Sequence, residues 1–165
     1  MSAPAPTVPV MDLAELETFI VEAKANTYVG GSADAGPSRP GSHDLEYARG
    51  DWRYRDSYFG GSDFLGEEVV WHRGVPVWAM NYYGWISDPA AITAETAGRV
   101  IRTALSAMYS EVRFLGGFHT EVDGWVYHDH SAGDLTHFHG RERISRPDGP
   151  EVYALLYHGG LIRPD

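Results

Sequence analysis

The fold is decided by residues 54–84, which read YRDSYFGGSDFLGEEVVWHRGVPVWAMNYYG. Segments 67–72 and 75–82 are rich in the β-branched and aromatic residues that favour β-strands. The dipeptide Arg73-Gly74 separates them. A two-residue loop with glycine is typical of a β-hairpin, because the tight turns that suit twisted strands need positive φ angles. The stretch therefore predicts a strand, a Gly-Gly loop and a tight hairpin.

Strand pairing counted outward from this turn assigns the hairpin side chains to two faces. The register pairs Val70 with Val77 and Glu68 with Ala79. One face then carries Glu68, Val70, Val77, Ala79 and Asn81. The other carries Glu67, Val69, Trp71, Trp78, Met80 and Tyr82. Because both faces are largely apolar, one is expected to pack on a helix and the other to line a cavity or a second layer.

Composition excludes several classes of function. The 165 residues carry a formal net charge of −10, which argues against nucleic-acid partners and against an anionic membrane surface. The chain has no cysteine, so it has no disulfide, thiolate nucleophile or zinc–thiolate site. It shows no apolar run of the ~18–20 residues that cross a bilayer and no signal-peptide pattern. A cytoplasmic protein is expected.

The rest of the chain is predicted to add two helices and further strands around the hairpin. Residues 1–10 are rich in proline and alanine and are expected to form a disordered tail, with 11–163 as a single α+β domain. Asp12 is placed to cap an N-terminal helix, and Asp88-Pro89 to start a central one. A twisted, mostly antiparallel sheet covered by these two helices, with an aromatic-lined pocket, is expected.

Residues 26–43 are dense in glycine, proline and serine, which predicts a long loop. Loops of this length in a compact domain are often binding loops or lids, and others are merely mobile; the sequence favours neither reading. Arg39 and His43 are the side chains of this loop with the most reactive chemistry. They are candidates to meet an anionic group of a ligand or to pair with nearby carboxylates.

Asp56 is a candidate for acid/base chemistry. Strand alternation places Trp52, Tyr54, Asp56 and Tyr58 on one face, so that a carboxyl group lies among three aromatic rings. An acid on an apolar face is expected to have a raised pKa. The alternative is that Asp56 simply accepts hydrogen bonds from tyrosine hydroxyls or loop amides.

A histidine-rich hairpin is predicted towards the C-terminus. Segments 125–130 and 135–139 flank the turn 131–134, and this pairing sets His128 opposite His137. Four imidazoles then share one face: His128, His130, His137 and His139. Opposed residues lie about 4.5–5.5 Å apart at Cβ, so this face is a candidate site for zinc, copper or iron. The alternative is a polar face turned to solvent, which antiparallel sheets commonly have.

Six segments carry a resemblance to a known family: FIVEAKANTYVGG (19–31), SRPGSHDLEY (38–47), YRDSYFGGSDFLGEEVVW (54–71), PVWAMNYYG (76–84), FHGRERI (138–144) and VYALLYHGG (152–160). Together they resemble a bacterial domain of unknown function that occurs alone or C-terminal to XRE-type helix-turn-helix regulators. The resemblance implies a compact α+β domain and a small-molecule sensor, and it supplies no reaction. The density of histidines over 128–139 is not part of it, so a metal site there would be particular to this chain.

Three hypotheses of function follow. The first is a small-molecule-binding domain with an aromatic and acidic pocket and no cofactor. Its expected ligand-binding residues are Arg39, His43, Tyr54, Asp56, Tyr58, Glu68, Trp78, Asn81 and Tyr82. The second is a cofactor-free isomerase, cyclase, dehydratase or hydrolase that uses the same pocket, with Asp56 or Glu68 as general base and Tyr58 or His158 as proton donor. The third is a metalloprotein that binds a transition metal through the four histidines.

Overall fold

Eight antiparallel strands and two α-helices make up most of the chain in this computed structural model, which describes residues 11–30 and 35–163. The helices are α1 (Leu13–Lys24) and α2 (Ala94–Ser110). The strands are β1 (His43–Arg49), β2 (Trp52–Gly60), β3 (Phe64–His72), β4 (Val75–Ile86), β5 (Phe118–Val122), β6 (Trp125–Asp134), β7 (His137–Ser145) and β8 (Glu151–Leu161). They form one open, twisted sheet in the order β1-β2-β3-β4-β8-β7-β6-β5. The predicted α+β class, with two helices over a mostly antiparallel sheet, is confirmed.

The predicted loop over residues 26–43 is wrong at its beginning, because α1 continues directly into a π-helical turn, Ala25–Val29. Thr27 is buried, and its hydroxyl donates to the carbonyl of Ala23 at 2.8 Å, which ties this turn to the helix before it. Residues 35–42 contain no helix or strand. The predicted tail 1–10 and residues 31–34 lie outside the described residues.

Side-chain caps start both helices. The Asp12 carboxylate accepts from the amide of Ala14 at 2.9 Å, as the sequence predicts. The predicted start of the central helix at Asp88 is wrong, because Asp88 caps a separate turn through the amide of Ala90 at 3.1 Å. The helix α2 begins only after Thr93, whose side chain accepts from the amide of Thr96.

The predicted turn of the central hairpin is confirmed, but the predicted register is wrong. Arg73 and Gly74 both have positive φ, 52° and 81°. The ladder then shifts, so that Val70 pairs with Trp78 and the predicted partner, Val77, is an extra residue in a β-bulge. Pro76 beside it has no N–H to donate, which explains why the ladder is interrupted there.

The bulge exchanges the faces of β4. Glu68 pairs with Met80 instead of Ala79, and Glu67 pairs with Asn81. The inner face, which the helices cover, therefore carries Glu68, Val70, Trp78, Met80 and Tyr82.

The second half of the molecule repeats the first. A helix precedes four antiparallel strands in each half, α1 before β1–β4 and α2 before β5–β8. β4 and β8 pair at the centre of the sheet, so that each half runs outward from them in the same order. α1 packs against β1 and β2, and α2 packs against β5 and β6. An approximate two-fold axis through the β4–β8 pair therefore relates the halves.

Repeated motifs accompany this symmetry. β2 and β6 share Trp-x-Tyr-x-Asp, at 52–56 and 125–129. β3 and β7 share Phe-x-Gly-x-Glu, at 64–68 and 138–142. β4 and β8 share Val-x-Ala-x-x-Tyr, at 77–82 and 152–157. The register shift also recurs, since Ile144 pairs with Tyr153 and Ser145 with Glu151, which leaves Val152 as the extra residue.

A tyrosine crosses a glycine in the first half. Tyr82 lies over Gly66 and donates its hydroxyl to Asp56 at 2.5 Å. A Cβ atom added to Gly66 would lie 2.3 Å from the hydroxyl oxygen of Tyr82. Glycine is therefore needed at this position to let the ring pass across the neighbouring strand.

The second half repeats the arrangement. Tyr157 lies over Gly140 and donates to Asp129 at 2.7 Å. A Cβ atom on Gly140 would lie 2.1 Å from Cζ of Tyr157. Tyr82 and Tyr157 are cross-strand partners on β4 and β8, so the two tyrosine–glycine crossings meet at the two-fold axis.

We expect Gly140→Ala to lower the free energy of unfolding by about 2–4 kcal/mol, because the added methyl group displaces the Tyr157 ring and breaks its bond to Asp129. Urea unfolding measures this loss. Gly61→Ala is the matched control, since nothing lies within 4 Å of a Cβ added at Gly61. A Gly140→Ala protein as stable as the control would contradict the close approach of ring and glycine.

Candidate functional site

A cavity of about 260 Å³ lies between the inner face of the sheet and the two helices. Its polar lining includes three carboxyl groups and two cations: Asp56, Glu68, Glu142, Lys24 and Arg102. Its walls include the rings of Tyr28, Tyr54, Tyr58, Tyr82, Tyr109 and Tyr153. The exposed lining residues Gly60–Ser62 and Arg102 lie where the cavity meets solvent. Both halves of the molecule contribute to this cavity.

A buried ion pair joins α1 to the sheet. Lys24, at the end of α1, has its Nζ 2.5 Å from Oε2 of Glu68 on β3. The two side chains are only 5% and 8% exposed. The Lys24 ammonium also lies 5.3 Å from the centre of the Phe114 ring, in a cation–π contact. The pair neutralises one of the three carboxyl groups of the cavity.

Asp56 faces the cavity from β2 as half of a hydrogen-bonded carboxyl–phenol pair. Burial raises the pKa of the Asp56 carboxyl, and the neighbouring Glu68 charge raises it further. The hydrogen bond from Tyr82 opposes this shift without cancelling it. Burial and the charge of Asp56 in turn raise the pKa of the Tyr82 phenol well above its ordinary value. The pair can therefore hold or release a proton at Asp56 near neutral pH.

The matching acids of the second half lack a cation like Lys24. Burial raises the pKa of Asp129 to about 6. Burial, followed by the charge of Asp129, raises the pKa of Glu142 to about 8. Four buried polar atoms of this half have no hydrogen-bond partner among the described residues: Oδ2 of Asp129, Oε2 of Glu142 and the hydroxyls of Tyr127 and Tyr153.

The structure brings five of the candidate site residues into the cavity lining: Tyr54, Asp56, Tyr58, Glu68 and Tyr82. Five others lie elsewhere, three of them on β4 and β8. Trp78 is a core residue whose indole N–H donates to the carbonyl of Leu135 at 3.2 Å. Asn81 on β4 and His158 on β8 are exposed cross-strand partners on the outer face, and the β4 bulge is what turns Asn81 away from the cavity. The reason for choosing Glu68, a face shared with Asn81, is therefore wrong, although Glu68 lines the cavity.

Arg39 and His43 lie outside the cavity lining. The Arg39 guanidinium donates to the hydroxyl of Ser57 at 2.8 Å and lies over the Phe59 ring at 4.8 Å. His43 stacks on Tyr58 with 5.1 Å between ring centres. The structure therefore places both side chains against β2 and does not place them in the cavity lining, and their binding of a ligand stays a prediction.

The predicted pairing of the histidine hairpin is wrong. β6 continues through Ser131–Asp134, so His128 pairs with Arg143 and not with His137. The turn falls at residues 135–136 because the Asp134 carboxylate accepts from the amide of Thr136 at 2.9 Å. His139 pairs with Ala132, so His130 and His139 are diagonal neighbours, whereas His128 and His137 lie six positions apart along the ladder.

A second feature disfavours metal binding at His128. Arg143 Nε donates to Nδ1 of His128 at 3.0 Å, which occupies a lone pair that a metal would need. Burial and the Arg143 charge lower the pKa of His128. The described residues contain no group of three or more His, Cys, Asp or Glu side chains placed to hold a metal ion.

Lys24, Tyr28 and Glu142 line the cavity and were missed by the sequence reading, as was the buried Asp129, which lies outside the lining but whose charge acts on Glu142. The repeated motifs Trp-x-Tyr-x-Asp and Phe-x-Gly-x-Glu contain the signal for Asp129 and Glu142, because they place these acids where the first half has Asp56 and Glu68. Lys24 had a weaker signal, a cation on the apolar stripe of an amphipathic helix.

Comparison with protein families gives one match, the domain of unknown function DUF5680, over residues 56–162. The chain belongs to this family. No curated protein and no solved structure matches it. The matched region of this DUF5680 domain holds Asp56, Glu68 and Glu142, whereas Lys24 comes from the helix before it. None of its described helices is long and apolar enough to span a membrane.

We expect Lys24→Met to lower the free energy of unfolding at pH 7 by about 3–5 kcal/mol, because it leaves the Glu68 carboxylate buried without its cation. Urea unfolding measures the loss. The double variant Lys24→Met with Glu68→Met should recover most of it, since two apolar side chains of similar volume replace the pair.

An exposed ion pair provides the matched control for this measurement. Arg99 and Asp123 are 51% and 63% exposed, with 3.3 Å between Nε and Oδ2. Arg99→Met should change the free energy of unfolding by less than about 1 kcal/mol. Equal losses for Lys24→Met and Arg99→Met would contradict the burial of the Lys24–Glu68 pair.

The raised pKa values predict that the protein loses stability as pH rises from about 4 to about 8. The folded state binds more protons than the unfolded state over this window, so the free energy of unfolding falls with pH. Glu142→Gln should flatten the profile by about 4–5 kcal/mol between its ends, since the pKa of Glu142 rises from 4.5 to about 8 and each pKa unit is worth about 1.4 kcal/mol. Urea unfolding across this pH range measures the profile.

Glu67→Gln is the control, because Glu67 neighbours Glu68 but is exposed on the outer face. It removes the same charge and should leave the slope of the profile unchanged. A Glu142→Gln profile that runs parallel to that of Glu67→Gln would contradict the raised pKa of Glu142.

Proposed function

We propose that this protein is a small-molecule-binding domain whose ligand occupies the cavity between the sheet and the helices. The observation that carries the proposal is the cavity of about 260 Å³, with tyrosine rings for walls and three carboxyl groups at fixed places. Aromatic walls with a small number of polar groups are typical of ligand pockets, which commonly measure about 300–1,000 Å³. The volume favours a small organic molecule.

The depth and the access of the cavity support this use. Tyr54 and Glu68, on the floor of the cavity, are only 2% and 6% exposed, so a ligand bound against them would be shielded from solvent. The exposed segment Gly60–Ser62 gives it a route from solvent. The resemblance to domains that follow XRE-type regulators in bacteria favours a sensor that reports a ligand. A cytoplasmic location belongs to the same proposal, and so does the absence of nucleic-acid partners, which rests on the acidic composition.

A second candidate function is a cofactor-free acid/base enzyme, which the Asp56–Tyr82 pair favours. Asp56 faces the cavity, and its raised pKa suits a group that takes and returns a proton near neutral pH. In this role Asp56 is the general base and Tyr58 the proton donor within the same lining. His158 has no part in it, because it lies on the outer face.

Filling the cavity tests the proposal. Gly98 of α2 lines the cavity, and a Cβ atom added there meets only the flexible Arg102 guanidinium, at 3.2 Å. We expect Gly98→Phe to fill the space and to abolish binding of fluoroaromatic fragments, measured by ¹⁹F NMR. Gly98→Ala is the matched control and should keep the binding of the wild type. Thermal unfolding checks that both variants are folded.

Fragments that bind Gly98→Phe as they bind the wild type would contradict the proposal, because they would occupy another surface. Mass spectrometry of the recovered fragments separates the two candidate functions. Unchanged fragments support a binding domain. A product that the wild type forms and Asp56→Asn does not form supports the enzyme, since asparagine keeps the hydrogen bond from Tyr82 but cannot accept a proton.

A further inference from the structure

Glu68 and Glu142 occupy matching positions in the two halves of the molecule but have different surroundings. The apolar stripes of the helices correspond in spacing and burial: Leu16, Phe19, Ile20 and Ala23 on α1 match Ala97, Val100, Ile101 and Ala104 on α2. In this match Leu105 stands where α1 has Lys24. Glu68 therefore has a buried ammonium partner at 2.5 Å. Glu142 lines the same cavity as Leu105, the residue in the position that corresponds to Lys24, and a leucine cannot pair with a carboxylate.

Glu142 lies in a polar group that the protein leaves incomplete. Oε2 of Glu142 is buried and has no partner with hydrogen-bond geometry among the described residues, although the Tyr127 hydroxyl lies near enough to oppose the rise in the Glu142 pKa. Tyr153 lines the same cavity, is 1% exposed, and its hydroxyl is also without a partner there. Buried polar atoms without partners are rare and destabilising, at about 1–3 kcal/mol each. A ligand with a strong donor would complete this group.

The rings around Glu142 suit a positive charge. Tyr28, Tyr109 and Tyr153 line the cavity together with Glu142. Aromatic faces attract cations through their quadrupole, and a carboxylate among them adds the opposite charge. In water the attraction between an ammonium ion and such a group is weak. In a site from which water is excluded it is stronger, because the lower dielectric constant screens the charges less.

We propose that the cavity binds an organic ammonium ion, a monoamine with an apolar or aromatic body, whose ammonium group pairs with Glu142. This inference rests on the proposed binding function and names its ligand class. The ammonium supplies to the second half the positive charge that Lys24 supplies to the first. The body of the ligand lies against the tyrosine walls.

An anionic ligand fits the cavity less well. The charged groups that face Glu142 are Lys24 of α1, Arg102 of α2, Asp56 of β2, Glu68 of β3 and Asp129 of β6. Lys24 is already paired with Glu68, and Arg102 is exposed to solvent, which screens its charge. Among the described lining residues, the buried ionisable groups left without an ion-pair partner are therefore carboxyl groups, which a cation can pair with once they ionise.

Binding of a cation should release a proton. Burial holds the pKa of Glu142 at about 8, so that at pH 7 the empty protein keeps most of this group protonated. An ammonium ion favours the ionised carboxylate, so its binding should displace on the order of one proton. By the same linkage its affinity should rise with pH, by about tenfold between pH 6 and pH 7.

The test compares three probes of one shape and different charge on the full chain: phenethylammonium, 2-phenylethanol and 3-phenylpropanoate. Isothermal titration calorimetry in phosphate and in HEPES, neither of which supplies a primary ammonium ion, gives both the affinity and the protons released. We expect the ammonium to bind most tightly, by about tenfold or more, and to release protons. Glu142→Gln should remove both the preference and the proton release, and Glu67→Gln should change neither.

The inference is overturned if the alcohol or the carboxylate binds as tightly as the ammonium, if Glu142→Gln leaves the ammonium affinity unchanged, or if none of the three binds. Gly98→Phe separates this failure from failure of the binding function. If an uncharged or anionic probe binds and Gly98→Phe abolishes its binding, the cavity is a binding site for another ligand class. If Gly98→Phe leaves all probe binding intact, both proposals fail.

Discussion

The burial of four carboxyl groups under two helices is the constraint on which the rest of this structure depends. Asp56, Glu68, Asp129 and Glu142 all point to the covered face of the sheet. A buried acid must be paired, hydrogen-bonded or protonated, because an isolated charge is too costly away from water. The molecule uses all three solutions: Lys24 pairs with Glu68, tyrosines donate to the aspartates, and Glu142 has a raised pKa. Gly66 and Gly140 are needed because the two tyrosine rings must cross a neighbouring strand to donate to the aspartates.

Local chemistry explains which parts of the fold could be predicted from the sequence. The hairpin turn at Arg73-Gly74 and the cap at Asp12 depend on a few neighbouring residues, and the structure confirms both. The bulge at Val77 depends on how a whole ladder accommodates Pro76, and a simple count of alternating residues cannot reveal it. One extra residue exchanges the faces of a strand. Because the bulge was not predicted, Asn81 was assigned to the face of Glu68 and Tyr82 to the opposite face.

The histidine hairpin fails for a related reason. Ser131–Asp134 has the composition of a turn, yet the Asp134 side chain fixes the turn at the next two residues and extends both strands. The site itself required long-range information, because Lys24 meets Glu68 across a separation of 44 residues. The internal repeat was the signal in the sequence that could have supplied it. Its motifs are spread over three strands in each half and interrupted by loops of different length, so reading one element at a time does not detect them.

The two halves share one fold but differ in whether a cation pairs with the buried glutamate, and this difference distinguishes residues that the fold requires from residues that a binding site requires. A sheet of this topology does not require buried acids, since well-packed apolar residues of similar volume are commonly neutral or stabilising in their place. Departures from such rules are expected where function is exerted. In the first half Lys24 forms an ion pair with Glu68. The second half has Leu105 in the matching position, and Oε2 of Glu142 and the hydroxyl of Tyr153 have no hydrogen-bond partner among the described residues. Both lie against the cavity, so the missing partner is best sought in whatever enters it.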